Sequence, residues 1–390
     1  VARKGGPTLR FIHTSDWHLG RLFYGEYLTD EQAHILYQFV DLVRDVKPDA
    51  VVIAGDIYDR GVPPTAAVEL LDEILSRILL DCQTPVIAIA GNHDSPERIG
   101  FGNKLLARQG LHVVGPLTGT YQPVTLTDEH GPVYFVPLTY AEPSTVRLNL
   151  AAEEASDHTA AMACHIRHAT ASIPDGARTV AVAHAFITGG EPSESERPLS
   201  VGGSSMVSSA LFSPFHYTAL GHLHRPQAVG APNIRYSGSL MKYSFAEAGH
   251  KKGVYVVEMD KAGAVQIETV ELKPRRDVRC IKGMFQDLLQ GPKGNENKED
   301  YILAELHDTL PVLDALGQLR AIYPNVLSID PRYRASGGEI NGAAVDHRKL
   351  TEKDLFAAFA EQMTGNALSA DQAAALETVL EELIREGRDE

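Results

Sequence analysis

The stretch Ala50-Val51-Val52-Ile53-Ala54-Gly55-Asp56 decides the fold. Five apolar residues make a strand, Gly55 lets the chain leave it tightly, and Asp56 arrives just past its end. The segment in front reads as a helix. Thr29 starts it, and Gln32 stands three residues on, in capping-box position. Ile35, Leu36, Phe39, Val40, Val43 and Val46 recur at three and four, giving one buried face. Pro48 and Asp49 end the helix. Behind Asp56 a second helix is predicted near 65–80, with Val68, Leu71, Leu75 and Leu79 on one side. Strands linked by helices in this way predict a layered α/β fold.

The same pattern recurs along the chain. A strand at 10–13 opens onto Asp16-Trp17-His18, and one at 86–90 runs into Gly91-Asn92-His93-Asp94. A strand at 179–183 leads to His184, and one at 217–220 leads to Gly221-His222-Leu223-His224. In open α/β sheets, ligands bind beyond the carboxyl ends of the strands, so five such ends can converge. Further strands are expected at 112–114, 124–126 and 133–136, and the Gly-, Ser- and Glu-rich stretch 186–206 reads as a mobile surface loop.

Asp16, His18, Asp56, Asn92, His184, His222 and His224 are then seven candidate metal ligands. A single ion needs about four protein ligands, so seven suggest two ions sharing a carboxylate. Asp16, His18 and His224 suit a first ion and Asn92, His184 and His222 a second, with Asp56 as the bridge. Carboxylate, amide and imidazole without thiolate favour two Mn²⁺, although Fe²⁺ and Zn²⁺ accept the same set. Such a pair can clamp a phosphate and stabilise an in-line displacement. His93 is the candidate catalytic residue, as proton donor to the leaving oxygen or as a support for phosphate charge. A purely structural His93 is the alternative. Each motif alone has a bland reading, as a turn or an ordinary histidine among sixteen. Their joint occurrence at strand ends argues against coincidence. Trp17 and Tyr58 read as packing residues.

The chain has 390 residues, enough for a large core domain and one or two smaller ones. Its composition, 44% hydrophobic and 22% charged, is that of a soluble globular protein. No apolar run approaches a membrane span, so no membrane partner is expected. Residues 1–6 lack the apolar stretch of a signal peptide. Cys82, Cys164 and Cys280 show no ligand spacing and read as reduced thiols, so a cytoplasmic location is expected; disulfides are the alternative. The net charge of −15 argues against a general nucleic-acid coat, which needs lysine and arginine. It leaves room for a DNA enzyme, because much of the acid lies in the tail. Arg21, Arg60, Arg98, Arg225 and Lys242 are candidate substrate contacts from their nearness to the motifs, with ordinary surface charge as the alternative.

Past residue 272 the texture changes. Strands at 277–281, 301–306 and 325–329 and helices near 283–290 and 311–322 predict a small α+β domain. The expected organisation is a core at 8–272, a second domain at 273–334, a linker at 335–348 and helices over 349–390. The last helix starts at Ser369 with Gln372 in capping-box position. Its face is Leu376, Val379, Leu380, Leu383 and Ile384, which either binds a partner or docks on its own domain.

The ordered set of motifs resembles the calcineurin-like metallophosphoesterases. The wider contexts, His13 to Gly20, Ala54 to Asp59, Gly91 to Ser95, Ala219 to Arg225, Tyr236-Ser237-Gly238-Ser239 and Lys242-Tyr243-Ser244-Phe245, resemble the SbcD family of nuclease subunits. The resemblance implies a metallophosphoesterase sandwich core, a small α+β capping domain over the DNA-binding side, and a C-terminal helical tail. It implies a Mn²⁺-dependent DNA exonuclease and endonuclease acting on duplex ends, hairpins and single strands. It also implies a homodimer and assembly with an SbcC-type coiled-coil ATPase, clamped by the C-terminal helices. Archaeal and eukaryotic members of the family carry a second active-site histidine three residues after the bridging aspartate, where this chain has Asp59. The element from Gly55 to Gly61 also resembles the serine/threonine phosphatases, so a phosphomonoesterase or phosphoprotein phosphatase is the alternative.

Overall fold

The structure is a computed structural model that describes residues 8–119, 122–196, 205–294, 296–309 and 312–330, with scattered positions between 368 and 379. It divides into two compact units, one up to Arg279 and one from Cys280 onward.

Two six-stranded sheets build the first unit. In one the order is Val265–Glu271, Gly253–Met259, Leu9–Thr14, Ala50–Ile53, Val86–Ile89 and Leu111–Val114. In the other it is Gln227–Val229, Ala231–Tyr236, Tyr217–Gly221, Arg178–His184, Gly131–Leu138 and Val124–Asp128. Period-two alternation sends Leu9, Phe11, Val52, Ile87 and Ile89 of the first sheet against Phe135, Val180, Val182, Tyr217 and Ala219 of the second. Phe11 meets Phe135 and Tyr217 edge-on at 5.3 and 5.5 Å between ring centroids, a favourable aromatic geometry. The opposite face of the second sheet is covered by the helix His158–Thr170 and by Phe212 and Phe215. This is the layered α/β sandwich expected from the strand–helix alternation.

Parallel register aligns the strand ends. Thr14 pairs with Ile53, Ile53 with Ala88, and Gly221 with His184. Asp16, Asp56, Asn92, His184 and His222 therefore leave the two sheets at one end. The helix Thr29–Val46 forms with its apolar face buried, and Lys47 closes it in the left-handed conformation. The expected capping box at its start is not made: Leu28 is the cap residue and has no side-chain bond. Gln32 is occupied elsewhere, under the site described below. The second helix runs Thr65–Ser76 and passes into a π-turn, Arg77–Asp81.

In the second unit the strands Val278–Gly283, Tyr301–Leu306 and Val326–Ile329 form a three-stranded sheet. Ile302, Ala304, Phe285, Leu319 and Tyr323 share its core. The expected linker and most of the C-terminal helices lie outside the described residues, including Leu380, Leu383 and Ile384. Ser369 and Gln372 do form the reciprocal capping box, at 2.9 and 3.3 Å. Val379 is exposed. No helix among the described residues is long and apolar enough to cross a membrane.

Candidate metal centre

The loops that carry the candidate ligands are held by backbone and by each other. The backbone amides of Asp16 and His18 donate to the carbonyls of Gly55 and Asp56 at 3.1 and 3.0 Å. Asp94 ties the next loop in: its carboxylate accepts from the amides of Gly91, Ile57 and Tyr58 at 2.9–3.1 Å. Asp16, His18, Asp56 and His222 all have positive φ, at 53°, 45°, 49° and 109°. A non-glycine residue held there costs about 1–3 kcal/mol, and such strain gathers at functional sites. The glycines before the ligands have a second reason besides tight turns. A Cβ on Gly91 would lie 2.1 Å from Asp56 Oδ1, and one on Gly221 would lie 1.9 Å from the Ala54 carbonyl oxygen.

All seven candidate ligands meet in this one place. The donor atoms of Asp16, His18 and His224 lie within 4.8 Å of one another, as do those of Asp16, Asp56 and His184. Asp56 Oδ2 lies between an imidazole of each group, 3.7 Å from His18 Nε2 and 3.4 Å from His184 Nε2. Its Oδ1 accepts from the His93 amide at 2.9 Å. Asn92 Oδ1 faces His184 Nε2 at 2.9 Å and His222 Nδ1 at 3.2 Å. Asp16 accepts from the His222 amide at 2.9 Å and from the Ser15 hydroxyl at 2.5 Å.

Burial governs the electrostatics. It lowers the His18 and His224 imidazoles to about 4 and His222 well below its usual value, so these rings are neutral at physiological pH and can offer lone pairs. Burial pushes Asp16 up to about 8, with His184 opposing and the Asp56 carboxylate reinforcing the rise. Burial also opposes the charges on Asp56 and His184, but their attraction wins: Asp56 stays well below the usual carboxylate range and His184 rises to about 9. Without metal, Asp16 holds a proton and His184 is charged, and bound cations would displace these protons to complete the donor set.

His93 belongs to the same site but is oriented differently. Its Nδ1 faces the Asp59 carbonyl at 2.8 Å, which turns Nε2 toward Asp56 Oδ2 at 4.0 Å. His18, Asp59 and His93 form a third convergent triple that shares His18 with the first. The Asp59 carboxylate lies within 4.8 Å of both imidazoles and pairs with Arg21 at 3.0 Å.

Several supporting residues escaped the sequence reading. Gln32 donates from its amide to the His18 carbonyl at 2.7 Å and accepts from the Gly20 amide at 3.1 Å, fixing the Asp16–His18 loop from beneath. Tyr140, just past the strand Gly131–Leu138, brings a sixth strand end to the site, its ring 6.4 Å from that of His184. The stretch expected as a mobile loop is anchored where it is described: Ser195 is buried and its hydroxyl lies 2.6 Å from His224 Nδ1. Strand ends and Gly-ligand pairs are the signals that mark the ligands in the sequence, and neither marks Gln32 or Ser195. Among the basic candidates, Arg21 and Lys242 are largely covered and paired with Asp59 and Asp277. Arg225 pairs with Glu191, and Arg98 donates to the Gly61 carbonyl. Arg60 is exposed.

Two sheets delivering this donor set from five strand ends define a class. The chain belongs to the calcineurin-like phosphoesterases, whose family model matches residues 9–226. Residues 274–364 match the model described as the type 5 capsule protein repressor C-terminal domain, SbcD_C. The chain is 32% identical to the SbcD component of the nuclease SbcCD of Staphylococcus saprophyticus, over 97% of its own length and 100% of that protein. Within the phosphoesterases it thus falls among the SbcD nuclease subunits, as a metal-dependent phosphodiesterase. Among solved structures it is similar to TT1561 of Thermus thermophilus, with TM-score 0.38 and 14% identity over 67% of this chain and 99% of that one. A dimetal phosphatase from Danio rerio gives TM-score 0.36 and 11% identity over 69% and 100%.

Proposed function

We propose that this chain is a Mn²⁺-dependent DNA nuclease, acting as exonuclease and endonuclease on duplex ends, hairpins and single strands. The observation that supports it most directly is Asp56 Oδ2, placed between two groups of buried donors with His93 Nε2 facing it. Asp16, His18 and His224 would hold one ion and Asn92, His184 and His222 the other, with Asp56 shared. When bound, two divalent ions supply Lewis acidity and an activated water for in-line attack at phosphorus. His93 keeps Nδ1 on the Asp59 carbonyl and presents Nε2 to the phosphate, where it stabilises charge or protonates the departing oxygen. Arg60, exposed beside the site, is the basic candidate best placed to meet a DNA phosphate.

The full-length likeness to a nuclease subunit favours DNA over small phosphate esters. It also favours assembly with an SbcC-type coiled-coil ATPase through residues 349–390, with 273–334 as a DNA-capping domain. The face for a homodimer is an apolar groove of about 630 Å³ beside the helix Thr65–Ser76. Leu80 lines it and is 69% exposed. Phe101 and Leu105, in the segment that gives Ile99 and Leu106 to its wall, are 83% and 75% exposed. A second copy would cover this concentration of apolar surface.

The test compares linear duplex, hairpin and single-stranded DNA with a small phosphomonoester, all with Mn²⁺. Cleavage of DNA with little turnover of the monoester is expected. Turnover of the monoester alone would replace this reading with a phosphatase. Removing residues 346–390 should abolish ATPase binding and leave cleavage by the core intact; retained binding would refute the tail assignment.

A further inference from the structure

His18 and His224, the two imidazoles of the first donor group, meet nose to nose, with their Nε2 atoms 3.0 Å apart. Their remaining nitrogens face supports of an unusual kind. His224 Nδ1 lies 2.6 Å from Ser195 Oγ, which lies 2.5 Å from Glu247 Oε1. Glu247 is fully buried and pairs with Lys252 at 2.5 Å. A hydroxyl has one hydrogen. Ser195 gives it to the Glu247 carboxylate and so accepts from His224 Nδ1–H, which leaves His224 Nε2 as a bare lone pair. Glu196 of the same segment accepts from the His224 amide at 2.7 Å.

His18 is fully buried, and its Nδ1 makes no hydrogen bond; the acceptor it faces is Asp59 Oδ1 at 3.5 Å. Arg21 joins the two supports. One guanidinium nitrogen donates to Asp59 Oδ1 at 3.0 Å and another to the Ser195 carbonyl at 3.1 Å. The guanidinium lies over the Tyr243 ring, which also touches both imidazoles. The second donor group has a different support: His184 Nδ1 faces the Ala54 carbonyl, at the end of a core strand.

We propose that Asp59, Arg21 and Ser195 are positioning residues for one metal of the pair, fixing the tautomer and aim of His18 and His224, and that the segment 191–196 is part of that metal site. The assignment rests on the two-metal reading. It gives Asp59 a role of its own, between His18 Nδ1 and the Arg21 guanidinium. It also reassigns Arg21 from a DNA contact to an internal clamp.

The test titrates Mn²⁺ into the metal-free full chain and follows free ion by electron paramagnetic resonance, a readout independent of cleavage. The native chain should take up two ions. Ser195→Ala and Asp59→Ala should weaken one of them by about 10–100-fold, the usual effect of losing a partner behind a ligating histidine, and leave the other unchanged. Asp59→Asn keeps an acceptor oxygen and should recover part of the loss. His184→Ala should weaken the other ion. Two native ions with both variants unchanged, or with both ions weakened equally, would overturn the positioning role alone. Fewer than two ions in the native chain would overturn the two-metal reading and this inference with it.

Discussion

Replacing Gly91 with alanine is a small change that the geometry makes costly. The added Cβ would lie 2.1 Å from Asp56 Oδ1 and 2.4 Å from the Asp56 amide nitrogen, where real Cβ atoms keep at least 3.0 Å. Asp56 cannot rotate away cheaply, because Oδ1 holds the His93 amide and Oδ2 faces both donor groups. The carboxylate must therefore move by roughly 1 Å, a displacement that can cost about 10²-fold in rate. Overpacking adds a stability loss of about 1–3 kcal/mol. The stiffer unfolded chain offsets about 0.4–1 kcal/mol of this. Initial rates of Mn²⁺-dependent DNA cleavage and thermal unfolding of the metal-free protein measure both effects. Gly249→Ala is the control, since nothing lies within 4 Å of where its Cβ would stand and φ is not positive. Native rate and native melting temperature in Gly91→Ala would refute the claim that this glycine makes room for the bridging carboxylate.

Other outcomes follow from the same contacts. His93→Ala should lower kcat by about 10²–10⁴-fold while Mn²⁺ affinity holds; a matching loss of affinity would make His93 a ligand. Asp128 forms a two-point pair with Arg178 at 2.7 and 2.6 Å, and that bonding keeps its carboxyl below the usual range. A lowered value means the pair's stabilisation is full above the unfolded carboxyl value and is lost as pH falls through the folded one. Asp128→Asn should therefore cost about 3–5 kcal/mol in urea unfolding at neutral pH. The difference should shrink below about pH 4; a difference that persists into acid would contradict the ion-pair origin. Phe101→Glu with Leu105→Glu should give monomers in sedimentation, and an intact dimer would move the interface off the apolar groove.

Much of the centre was legible because its ligands obey one rule. Each follows a short apolar strand, so the sequence motif and the site share a cause in the parallel register. The strands at 86–90, 179–183 and 217–220 and their ligands were read this way, and all arrive together. What supports the ligands was not legible. Gln32 has the spacing of a capping box, yet tertiary contacts with the His18 carbonyl and Gly20 amide outcompete the local bond. Ser195 lies in a polar stretch whose composition signals a loose loop, and only its distant partners, His224 and Glu247, bury it. Arg21 and Lys242 show the same limit: nearness in sequence to a motif does not reveal that a carboxylate is already paired with the side chain.

Hydrolysis by two metals is tested most directly by stepwise loading. The metal-free chain is titrated with Mn²⁺, and the initial rate of duplex DNA cleavage is followed against ions bound per chain. Shared coordination through Asp56 predicts little cleavage with the first ion, full rate with the second, and neither in Asp56→Asn. Full rate at a single bound ion, or uncut DNA at saturation, would contradict it.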